Sequence, residues 1–295
     1  MTIRSTAAVL TVGLLLAACG GDDPEATPSA TASTIVDPSG SPGDDTTATA
    51  SPTASETATP TQAPTETPPD PTSSPTSQPN PNPEGATPEP IPTGTYSYAT
   101  NGWSQLGNGP QEPMPSTTTL SAAAMSGGRQ VVTRDLTDDE GYGQTIQRVM
   151  EYAKTGFFLH EVRTSAKVKV GLLGDVVDNR TFVASPAGAL GTPESEVGWE
   201  NTFTMTGDGV TLTVTAKLVR FEDVTVGGTT VRAAVVTQHV EFSGDLEGTS
   251  DSTSWFRPED LLPLKERSSS EVTQAGSGVA QKSEYTATLK SLTPA

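Results

Sequence analysis

Few side chains in this 295-residue sequence are of types that carry chemistry. The one cysteine, Cys19, sits in LLLAACGGDD, where an apolar run gives way to an acidic, glycine-led segment. The two histidines, His160 in FFLHEVR and His239 in VVTQHVEF, fall inside apolar-rich runs. A nucleophilic triad needs a presented serine and an oriented base, yet no Gly-x-Ser-x-Gly or Ser-x-x-Lys motif is present. His160-Glu161 lacks the second histidine of a zinc-binding His-Glu-x-x-His helix. With two histidines and no spare thiol, zinc would need carboxylates from distant segments. The acidic stretches Asp138-Asp139-Glu140-Gly141 and Gly207-Asp208-Gly209 do not follow the spacing of a calcium loop and read as turns. No enzyme is expected, and no metal or diffusible cofactor.

Cys19 has a different chemistry available. Arg4 supplies a short cationic lead, and Ala7–Ala18 is apolar apart from Thr11. That run of 12 residues is too short for a spanning helix, which takes about 20. Acids and prolines follow it, so residues 1–18 read as a secretory signal peptide. Leu16-Ala17-Ala18-Cys19 resembles the lipobox of bacterial lipoproteins. The resemblance implies cleavage between Ala18 and Cys19, a diacylglycerol on the Cys19 thiol, and residence on the extracytoplasmic face of the cell membrane. Two or more acyl chains make such an anchor stable.

Residues 20–92 hold 11 acids, no Lys or Arg, and mostly Thr, Pro, Ser and Ala. Such a segment cannot offset its ordering entropy, so 19–92 is expected to be a disordered stalk. Its proline bias favours extended polyproline geometry, with a reach of up to about 200 Å. The net charge of −18 opposes binding to nucleic acid and electrostatic docking on anionic lipid.

All Trp, Tyr and Phe lie in 93–295, the part able to bury a core. Its apolar residues alternate. In VTLTVTAKL, Val210, Leu212, Val214, Ala216 and Leu218 share one face and threonines the other. Gly207-Asp208-Gly209 and Gly227-Gly228 mark tight hairpins. Further strands are expected at 94–100, 116–124, 130–137, 157–169, 231–242, 248–256, 264–273 and 279–292. Residues 145–154 fit a strand or a short helix. Residues 171–198 are the poorest fit, with a short strand, a helical turn or a flap as alternatives.

The fold expected is mainly β: an antiparallel meander forming one strongly curved, half-barrel-like sheet, with at most one or two short helices. The segment Thr253–Glu266, a strand ending in Trp255, a proline turn and Leu-Pro-Leu-Lys, resembles the LolA/LolB and LppX-like envelope lipoproteins. That resemblance implies an apolar cavity under a concave sheet and a lipid or other apolar ligand. Trp199, Phe203, Leu212, Val214 and Trp255 are the candidate ligand-binding residues. The alternative function is an interaction module for protein or glycan, displayed on a wall-spanning stalk. The sequence does not indicate an oligomeric state.

Overall fold

The computed structural model describes residues 87–169 and 174–295. The signal peptide, Cys19 and the expected stalk up to residue 86 lie outside these described residues. Every element described is a strand. In chain order they are β1 (Gly94–Leu106), β2 (Gln111–Pro113), β3 (Thr117–Ala122), β4 (Arg129–Asp135), β5 (Gly143–Ala153), β6 (Gly156–Lys169) and β7 (Asp175–Ala189). There follow β8 (Glu200–Gly207), β9 (Val210–Val226), β10 (Thr229–Gly244), β11 (Leu246–Phe256), β12 (Pro263–Gln274) and β13 (Ala280–Leu289).

Alternation explains most of them. Along the first half of β9 the five residues Val210 to Leu218 are buried, while the threonines between them are half-buried. Period two places successive side chains on opposite faces, and β-branched residues suit the pleat. The β8–β9 turn has Asp208 and Gly209 at φ 49° and 75°, and the β9–β10 turn has Gly227 and Gly228 at 56° and 85°. Both therefore have positive φ at the two central positions, the arrangement that matches strand twist in a two-residue hairpin. Residues 145–154 form a strand, β5, paired on both sides. The uncertain 171–198 stretch contributes the 15-residue β7.

Consecutive strands pair antiparallel from β3 through β13, and β1 pairs with β3. The sheet does not stop there. β1 also pairs with β13 over nine residue pairs, from Tyr98↔Leu289 to Leu106↔Gln281. The half-barrel expectation is thus corrected: twelve strands close into a barrel, with β2 a short flap on β1. A half-barrel would leave two edges of unpaired backbone groups, and closure satisfies both.

Eight strands suffice to make a barrel whose interior side chains fill. Twelve enclose more width, and bulky groups occupy it. The largest fully buried side chains include Arg134, Tyr96, Tyr98, Tyr285, Phe157 and Phe182. Small polar residues also turn inward from β11 to β13, with Ser250, Ser252, Ser254, Ser268, Ser270 and Ser283 all buried. Ser270 and Ser283 share a 2.9 Å hydrogen bond. The segment before β1 packs at one end: Ile91 is 4% exposed, and its N–H and C=O bond the Gln130 amide at 3.1 and 2.6 Å. Folded packing therefore reaches back past residue 93.

Candidate ligand-binding site

The alternation that makes β4 and β5 strands also turns two arginines inward. Gln130, Val132 and Arg134 form the buried face of β4. On β5, Arg148 lies in phase with buried Gln144, Ile146 and Met150. Arg134 is 2% exposed. From β12, Glu266 points the same way as Ser268 and Ser270, and its Oε2 lies 3.8 Å from Arg134 Nη2.

Two tyrosines complete the cluster. Tyr98 of β1 lies under Arg134, whose guanidinium carbon is 3.9 Å from the ring centroid. The Tyr98 hydroxyl donates to Pro263 O at 2.8 Å. Tyr285 of β13 donates its hydroxyl to Glu266 Oε1. Tyr285 can lie close to β1 because Gly102 opposes it. A Cβ at Gly102 would overlap the Tyr285 backbone and Cβ. Burial raises the pKa of both phenols, so they act as neutral donors. Burial also lowers the pKa of Arg148, with Glu266 as the main opposing influence.

Guanidinium donors here outnumber their acceptors. None of the three Arg134 guanidinium nitrogens has a hydrogen-bond partner among the described residues, and neither has Arg148 Nε. Buried donors without partners are uncommon, because each forfeits its solvation. Beside them lies a cavity of about 80 Å³. Ile91, Leu120, Val132, Met150 and Leu190 give it an apolar wall; Arg148, Glu266, Gln238 and Ser254 give it a polar one. This arrangement can hold an anion or water among fixed donors, with apolar surface alongside.

The cavity borders the weakest join in the barrel. β7 and β8 pair only at Val183↔Thr206 and Ala184↔Met205. Past that point, Asn201 Nδ2 donates to Ala189 O at 3.0 Å. The Phe203 ring lies directly against Gly188, where no side chain would fit. Leu190 follows β7, and Ala216 pairs with Asn201; both line the cavity.

The residues singled out from sequence are dispersed. Leu212 and Val214 are fully buried in the main core, and Phe203 is partly buried against it. Trp199 packs with Leu218, Phe221 and Ala234 in a separate cluster. Trp255 lies on the opposite face of β11 from Ser254, donates to the Glu222 carboxylate, and has the Lys265 ammonium 4.4 Å from its ring centroid. None of the five lines the cavity.

Both histidines are bound to carboxylates on strand surfaces. His160 Nε2 meets Glu151 at 2.6 Å, and His239 Nδ1 meets Asp251 at 2.6 Å. The acidic turns use their oxygens locally: Asp138 Oδ1 accepts from the N–H groups of Glu140 and Tyr142, and Asp208 Oδ2 from Thr181 N–H. Among the described residues, no group of three or more metal-ligating side chains gathers.

No protein-family model matches the chain, and no curated protein is significantly similar to it. Among solved structures, one described as the hypothetical lipoprotein YmcC from Escherichia coli (K12) is similar over 68% of this chain and 85% of that one. The identity is 11% and the TM-score 0.28, an overlap too loose to transfer topology or activity.

Proposed function

We propose that this chain is a non-enzymatic cell-envelope lipoprotein, tethered through a diacylglycerol on Cys19 to the extracytoplasmic face of the membrane. Its barrel binds a small apolar or amphipathic ligand. The observation that carries this reading is the interior cavity, apolar on one wall and charged on the other. Concave, mostly apolar sites with a few fixed polar groups are the usual form of small-molecule sites. The cavity lining offers donors, an acceptor and hydrocarbon, the groups that hold an amphipathic ligand.

Calorimetric titration of the purified protein with octanoate and with 1-octanol tests the reading. Saturable uptake of at least one, at one molecule per chain, is expected. The small cavity volume favours a second reading if neither binds: an interaction module whose partner docks outside the barrel. The anchor is tested separately. Cys19→Ala should move the protein from the membrane fraction to the soluble fraction, or leave an uncleaved precursor. A variant that partitions into detergent like the parent, at mature size, would remove the anchor.

A further inference from the structure

The buried cluster beside the cavity has two guanidiniums, Arg134 and Arg148, and one carboxylate, Glu266. Arg134 and Glu266 offset one another as an ion pair. Arg148 lines the cavity and has Glu266 as the main charge opposing its own, but that carboxylate already serves Arg134 and the Tyr285 hydroxyl. Two guanidiniums thus share one carboxylate, and Arg148 Nε is without a hydrogen-bond partner. An uncompensated charge in a barrel interior is strongly unfavourable unless something pairs with it.

We infer that the cavity is the head-group end of a site for an anionic amphiphile: a carboxylate on an acyl chain, its head on Arg148 and its chain lying along Leu120, Val132 and Met150 toward Leu190. This inference rests on the ligand-binding reading above and names the charge and shape of the ligand. A guanidinium presents its N–H groups as a planar fork, which a carboxylate accepts with two oxygens. A bound carboxylate would supply the acceptors that Arg148 lacks and bring the interior near neutrality.

The position of the cavity favours a chain over a free anion. A volume of about 80 Å³ is roughly half that of a cavity that takes benzene, so it holds a carboxylate and a few carbons. A longer chain needs a way out. Leu190, just past β7, and Ala216, paired with Asn201 of β8, flank the stretch where β7 and β8 have no ladder between them. Among the described residues, only the Asn201 side-chain bond to Ala189 O and the Phe203 ring against Gly188 are seen to cross it. Swinging one aromatic side chain aside breaks no backbone hydrogen bond. The acyl chain would then leave the interior between β7 and β8, with Phe203 over it.

The test compares octanoate, 1-octanol and acetate on the same protein at pH 7.5. Octanoate should bind at least tenfold more tightly than either of the others. Arg148→Met should weaken octanoate at least tenfold and 1-octanol far less, while Arg148→Lys, which keeps the charge, loses less octanoate affinity than the Met variant. Should the Met variant fail to fold, the comparison of the three probes on the parent protein decides alone. Equal affinity for octanoate and 1-octanol overturns the anionic head group and leaves the apolar-ligand reading standing. Equal affinity for octanoate and acetate overturns the chain. If neither octanoate nor 1-octanol binds, the ligand-binding reading itself falls.

Discussion

Removing one partner of a buried ion pair leaves the other charge without solvent or counter-ion, at a cost of ~3–5 kcal/mol. Glu266→Ala would do this to Arg134 and would also strand the Tyr285 hydroxyl. Urea unfolding should show a loss of that size. The double variant Arg134→Met/Glu266→Leu, which fills the same space without that ion pair, should recover part of it; the remainder is the cost of leaving Arg148 and the Tyr285 hydroxyl without Glu266. At the surface the sign runs by pH. The Asp251 hydrogen bond raises the pKa of His239 above its usual 6.5. Its contribution to stability is therefore complete below pH 6.5 and fades as pH rises through the folded value. His239 is 44% exposed, so the change is below about 1 kcal/mol. His239→Gln should flatten the stability profile between pH 6 and 8. The two interior arginines are marked in the sequence by their phase, which no catalytic or metal motif includes. In QVVTRD, Arg134 is in phase with buried Val132, and in TIQRVM, Arg148 is in phase with Ile146 and Met150. A cation on the core side of an alternating strand marks a polar interior more directly than any aromatic residue did here.

At the level of elements, alternation and turn chemistry made most strands readable, and the tight Gly turns fell where expected. β7 was harder, because its exposed valines and buried Phe182 and Ala184 are interrupted by Pro186 and Gly188. Those same residues explain its thin pairing with β8. Gly188 lacks a side chain where the Phe203 ring sits, so Gly188→Ala should force the ring outward. Overpacking of this kind costs ~1–3 kcal/mol, or roughly 2–12 °C in Tm for a domain of this size. Phe203→Ala added to Gly188→Ala should cost less than the two separate losses combined, because the clash is gone. Differential scanning calorimetry of the three variants measures this coupling. Residues 145–154 were ambiguous for a different reason. Ile146, Arg148 and Met150 keep the period of two, but Tyr152 at the strand end and a polar Arg inside it blur the contrast between faces.

For the whole molecule, alternation and turns imply a curved antiparallel meander but do not imply its closure. Each hairpin announces itself by a local turn, but the ladder that closes the ring joins Tyr98 to Leu289 with nearly the whole domain between them. No local pattern marks two strands as partners at that separation. Gly102 is the nearest thing to a trace, since a bare residue amid the aromatics of β1 is what allows Tyr285 to approach. Closure also brings the ends of the folded chain together. Ala295 N–H donates to Thr95 O at 2.9 Å, and Pro294 lies against Gly94. The order of strands is therefore cyclic, and the place where the polypeptide begins is arbitrary as far as the ring is concerned. A circular permutant joining Ala295 to Gly94 through a short glycine linker, with new termini between Gly127 and Gly128, opens a turn whose glycines face empty space. It omits Ile91, so a modest loss in Tm is expected alongside an unchanged far-ultraviolet circular dichroism spectrum. Such a permutant would move the chain terminus, and with it any tether, from one hairpin to another while leaving the interior as it is.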